Sequence, residues 1–102
     1  MGALVEIMDV PGSGNTYNVI LSREFKGGTI AGVKLYIYDN TEENVEEKTI
    51  LKNIGPGSIK SHEIILDEIT NLPPSKIEVA PILLTDKGEE YVCQKTFTFQ
   101  IL

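Results

Sequence analysis

Along this chain apolar and polar residues alternate with a period of two, and clusters of Gly, Pro, Asn and Asp interrupt the alternation. A strand turns successive side chains to opposite faces, so this period gives each segment one face for a core and one for water. Residues 4–10 predict a first strand, closed by Pro11-Gly12-Ser13-Gly14-Asn15, where Pro and Gly punctuate a loop. Residues 16–25 carry the clearest pattern. Tyr17, Val19, Leu21 and Phe25 share one face, and Asn18, Ser22 and Glu24 the other. Arg23 falls on the inner parity; a position near the strand end is expected to let its head reach water while its stem packs.

After Gly27-Gly28, residues 33–39 predict a third strand with Val33, Leu35 and Ile37 on one face and Lys34, Tyr36 and Tyr38 on the other. Residues 39–44 are polar enough to predict an exposed loop, and residues 45–51 predict an edge strand. A short helix is the alternative there, because Glu43, Glu46 and Glu47 precede Lys48 and Leu51, but the flanks are poor caps. Ile54-Gly55-Pro56-Gly57-Ser58 predicts a sharp turn before a strand at 59–66. Leu72-Pro73-Pro74-Ser75 interrupts before a long apolar strand at 76–85. Within it Pro81 lacks an N–H donor and predicts an edge position or a bulge. Asp86-Lys87-Gly88-Glu89 predicts a hairpin connection. A final strand from Tyr91 is expected to bury Tyr91, Cys93, Phe97, Phe99 and Ile101 against Gln94, Thr96, Thr98 and Gln100.

About seven such antiparallel strands in a chain this short predict an all-β, immunoglobulin-like (fibronectin III-like) β-sandwich, with a small barrel as the alternative. With 102 residues the chain fits one domain, residues 1–102. It opens almost directly into a strand and stops on Phe97-Thr98-Phe99-Gln100-Ile101-Leu102, so excision from a longer surface protein is expected. Cys93 is the only cysteine, which excludes an intramolecular disulfide and leaves stability to packing. The net charge of −6 opposes polyanionic partners, so nucleic acid is not expected as a partner. No apolar run approaches the roughly 20 residues that span a bilayer, so direct membrane insertion is not expected either.

The segment Val33-Lys34-Leu35-Tyr36-Ile37-Tyr38-Asp39, followed by Ile54-Gly55-Pro56-Gly57-Ser58 and an alternating strand, resembles the CARDB and FxLYD groups of microbial immunoglobulin-like domains. The likeness runs over residues 17–66. It implies a module of bacterial or archaeal cell-surface or secreted proteins, acting as a spacer, presentation or adhesion domain. Its partners would be neighbouring domains or another protein. The resemblance brings no catalytic residues.

The candidate chemistry is sparse. His62, the only histidine, has neither a nucleophile nor a metal-ligand motif beside it and reads as a partly exposed structural residue. Cys93 reads as a small buried core residue. Asp39, Glu42, Glu43, Glu46 and Glu47 could in principle gather calcium, yet their spacing is not that of an EF-hand, and a solvated loop is the expectation. Neither Gly27-Gly28 nor the pair Gly55 and Gly57 precedes a helix, so neither forms a phosphate loop. No catalytic, cofactor or metal site is expected. One binding hint stands out: Lys34, Tyr36 and Tyr38 project from one face, where aromatic rings can stack on a sugar or a partner side chain. A carbohydrate-binding module using Tyr36 and Tyr38 is therefore the alternative to a spacer or protein-interaction module.

Overall fold

The computed structural model describes residues 5–23, 30–51, 55, 57–94 and 97–102. The expectations for Phe25, Glu24, Gly27-Gly28, Ile54, Pro56 and Thr96 lie outside the described residues. The described chain is all-β. Its strands are β1 (Val5–Asp9), β2 (Gly12–Ser13), β3 (Thr16–Arg23), β4 (Ile30–Tyr38), β5 (Val45–Ile50), β6 (Ile59–Ile65), β7 (Lys76–Leu84), β8 (Glu90–Val92) and β9 (Phe97–Gln100). No helix among the described residues is long and apolar enough to cross a membrane.

All pairings are antiparallel and fall into two sheets. In one sheet β3 is central, with β6 on one side and β1 followed by β2 on the other. In the second, β4 and β7 are central, β5 is one edge, and β8 followed by β9 lies along the other side of β7. Because β1 and β2 share one partner, as do β8 and β9, the nine strands form seven rows, three in one sheet and four in the other. This is an arrangement compatible with a β-sandwich.

The period-two positions meet where the alternation places them. Val5, Ile7, Tyr17, Val19 and Leu21 from one sheet share a core with Ile30, Val33, Leu35, Ile37, Ile77 and Val79 from the other. Full burial of each such side chain is worth about 1.5–3 kcal/mol against conformational entropy. Phe97, Phe99 and Ile101 pack on this core at its margin. The polar parity faces outward, as at Asn18, Ser61, Glu63 and Thr98. At Gly32 an added Cβ would collide with the carbonyl oxygen of Ile50, so the backbones of β4 and the end of β5 approach closely only because the side chain is absent.

Several expectations are corrected. Arg23 does not snorkel: it is 3% exposed, at the end of β3 where Val5 and Ser58 flank it. The polar segment after β4 is not wholly solvated, because Asp39 is fully buried. The last run is two strands rather than one, and Tyr91 on β8 is exposed instead of sharing the core with Phe97 and Phe99.

Pro81 is not on an edge, since β7 has β4 on one side and β8 and β9 on the other, but the facing strand β4 carries a register shift between Ile30 and Gly32, beside its partner Val33. An antiparallel residue directs its N–H and C=O to the same side. The Pro81 carbonyl accepts from Cys93 N–H at 2.8 Å, so its missing N–H also faces that side, between the end of β8 and the start of β9. The gap in the neighbouring row is what admits proline to a central strand. Gly12–Ser13 is an added short pairing within the expected loop. The segment 45–50 is a strand, not a helix, and it is an edge as expected.

Candidate functional site

The outer face of the four-row sheet brings Lys34, Tyr36 and Tyr38 together. They alternate along β4 with the buried Val33, Leu35 and Ile37, so the same pleat that builds the core delivers all three to the opposite face. The register sets Glu47 of β5 and Glu78 of β7 on either side of Tyr36. Lys34 Nζ lies 2.8 Å from Glu47 Oε1 and 5.9 Å from the centre of the Tyr36 ring. The hydrogen bond and charge of Glu47 raise the Lys34 pKa above its ordinary value.

Tyr38 O–H donates to Glu78 Oε1 at 2.6 Å, and Thr98 Oγ1 approaches Glu78 Oε2 at 3.4 Å. Lys76 Nζ sits 4.8 Å from the centre of the Tyr38 ring and 3.6 Å from Glu42 Oε1. Each ring thus has an ammonium from its own sheet near its centre. Stacking a sugar on the face Lys76 covers would require that ammonium to move.

The five carboxylates considered for calcium do not converge. Asp39 follows β4 and turns inward. Its Oδ1 accepts from the Thr41 N–H at 3.1 Å and from Thr41 Oγ1 at 2.7 Å, and its Oδ2 accepts from Asn44 at 2.8 Å and Asn71 at 3.4 Å. The bonds from Asn44 and Thr41 hold its carboxyl well below the usual range. Asp39 thereby ties the β4–β5 turn to the segment before β7.

Glu46 lies opposite Ile37 on the inner parity of β5, fully buried. Its Oε1 accepts from the N–H groups of Glu68 at 2.8 Å and Ile69 at 3.2 Å, its Oε2 from Asp67 N–H at 3.1 Å, and Lys48 Nζ stands 2.9 Å from Oε2. Burial pushes its pKa up, but Lys48 and the three backbone donors outweigh that and lower it to about 2. Asp39 and Glu46 are therefore spent on protein donors, while Glu42 and Glu47 pair with lysines outside. Among the described residues no group of three or more His, Cys, Asp or Glu is placed to hold a metal ion.

His62 is half-buried on β6 and lines a shallow groove with Ser61 and Glu63 of the same strand and Thr49, Ile50 and Leu51 at the end of β5. Cys93 is half-buried rather than a core residue, and desolvation raises its thiol pKa. The buried acids were the residues that the pattern of the chain hid. Their signal is parity: once β5 pairs with β4, Glu46 shares a face with Ile50 and Ile37. Comparison with known proteins finds no family model that matches the chain and no curated protein that matches it.

Proposed function

We propose that this chain is a non-catalytic, immunoglobulin-like module of a bacterial or archaeal cell-surface or secreted protein, which spaces or presents neighbouring domains and joins protein contacts. The observation that carries this is the course of the chain through a long, narrow body of 41 × 22 × 19 Å. Val5 opens β1 opposite Arg23, at the end where Ser58 lies. Ile101 follows β9 at the other end, bonded to the Ser75 carbonyl and beside Val10, Gly14 and Tyr17. The two ends belong to different sheets, so a spacing imposed at one is carried to the other through the core that the sheets share. Supporting it, the seven rows fit the strand number of an immunoglobulin-like sandwich. The likeness of residues 17–66 to CARDB and FxLYD domains points the same way, and the buried acids have structural partners rather than a cleft. An antibody against the chain should label intact producing cells or their medium. Labelling that appears only after lysis would overturn the surface location.

A further inference from the structure

Strand β6 is an outer row of its sheet. Among the described residues only β3 pairs with β6, which leaves its other side as a sheet edge. Arg23 N–H donates to the Ser58 carbonyl at one end of the β3–β6 ladder, and Leu66 N–H donates to the Asn15 carbonyl at the other. Antiparallel bonding alternates residue by residue, so Lys60, His62 and Ile64 direct their backbone groups to β3. Ile59, Ser61, Glu63 and Ile65 direct theirs away from it. The side chains of these same four residues are exposed, with Ile59 at 61% and Ile65 at 52%.

We propose that a second copy of this chain adds to this edge, β6 against β6 in antiparallel register about His62, to join two three-row sheets into one. In that register Ile59 faces Ile65 of the second copy, and Ser61 faces Glu63. These are the residues with outward backbone groups, so each pair exchanges two hydrogen bonds. Lys60 faces Ile64, which keeps Lys60 and Glu63 from meeting their own copies. Moving the centre to Lys60 or Glu63 sets like charges on the axis, and each such shift also separates the isoleucines. β5, an edge of the second sheet, behaves oppositely. Centring its self-pairing on Glu47 or Lys48 brings identical charges together in the middle of the strand. Self-complementarity of this kind is what an isologous twofold contact requires. The pairing depends on β6 alone and not on the cellular location proposed above.

Sedimentation of the full chain over a concentration series tests it. The expected result is a reversible monomer–dimer equilibrium, weakened about tenfold or more by Ile59→Lys or by Ile65→Glu, since each alters two symmetric cross-strand pairs. The double variant Ile59→Lys with Ile65→Glu should restore dimerisation, because lysine then faces glutamate of the other copy at both ends. Ser61→Pro, which removes an N–H pointing away from β3, should abolish pairing without adding charge. Thermal melting of dilute samples verifies that each variant is folded. A wild-type chain that stays monomeric across the series overturns the proposal. So does a dimer indifferent to the single variants, or a double variant that fails to recover.

Discussion

Glu46 and Glu47 are neighbours on β5, and each holds a lysine at nearly the same distance, 2.9 Å to Lys48 and 2.8 Å to Lys34. The two regions they serve differ in everything else. Glu46 points inward, its side chain 0% exposed, and anchors three consecutive backbone N–H groups of the chain after β6. Glu47 points outward, its side chain 51% exposed, on the sheet face that carries Tyr36 and Tyr38. The contrast teaches that ion-pair distance says little about what an ion pair does. A buried carboxylate left without one of its donors keeps its desolvation penalty, whereas an exposed one returns to water.

The largest effect expected from this contrast is at Glu46. Glu46→Ala strands the N–H groups of Asp67, Glu68 and Ile69 and removes the nearer of the two carboxylates beside Lys48, leaving Asp67 at 3.6 Å. It should destabilise the fold by about 3 kcal/mol or more, read as a lower denaturation midpoint at unchanged slope. Hydrogen exchange localises the damage: the amides of Asp67, Glu68 and Ile69 should lose protection first. Retention of that protection would mean that Glu46 does not anchor the segment, and the contrast with Glu47 would fail.

Acid sharpens the same comparison. Glu46 is depressed from 4.5 to about 2 in the folded chain, and Asp39 is shifted in the same direction. A depressed folded pKa means the unfolded chain binds more protons between the two values, so stability falls as pH falls. The contribution is complete above about pH 5 and is lost progressively as pH drops through the ordinary carboxylate range toward 2. Denaturation midpoints across that window should fall steeply in the wild type and less steeply in Glu46→Gln, where the titrating group is gone but an acceptor oxygen remains. A parallel slope in the variant would remove Glu46 from the acid response.

The strands were legible because burial on one face enforces period two, and a slip of one residue would expose every core side chain of β3 or β4. Where the reading failed, another physical term competed with that pattern. Pro81 sits in a central strand because the neighbouring row is interrupted where its missing donor points, a fact of register that local sequence does not carry. Tyr91 shares parity with Phe97, but the chain between β8 and β9 breaks the strand, and parity does not survive a break. Asp39 and Glu46 looked like members of a solvated acidic loop because their donors lie in other segments, at residues 67–71 and within the turn itself. On the surface, Lys34, Tyr36 and Tyr38 were legible as a set, since alternation alone puts them on one face. Their engagement by Glu47, Glu78 and Lys76 depends on which strands flank β4.

The smallest expected effect tests the exposed half of the comparison. Glu47→Ala removes the partner of Lys34, but Lys34 is itself 30% exposed, so both groups can recover hydration and no donor is buried unpaired. Lys34 also keeps its position near the Tyr36 ring. The cost should be no more than roughly 0.5 kcal/mol, as for other exposed ion pairs. Salt supplies the independent reading. At about 1 M ionic strength the screening length is roughly 3 Å, so the small difference between Glu47→Ala and wild type should vanish. The Glu46→Ala deficit should persist there, because it arises from three backbone N–H groups that lose a buried acceptor rather than from charge across water. If Glu47→Ala proved as damaging as Glu46→Ala, and remained so in high salt, burial could not be what separates the two glutamates.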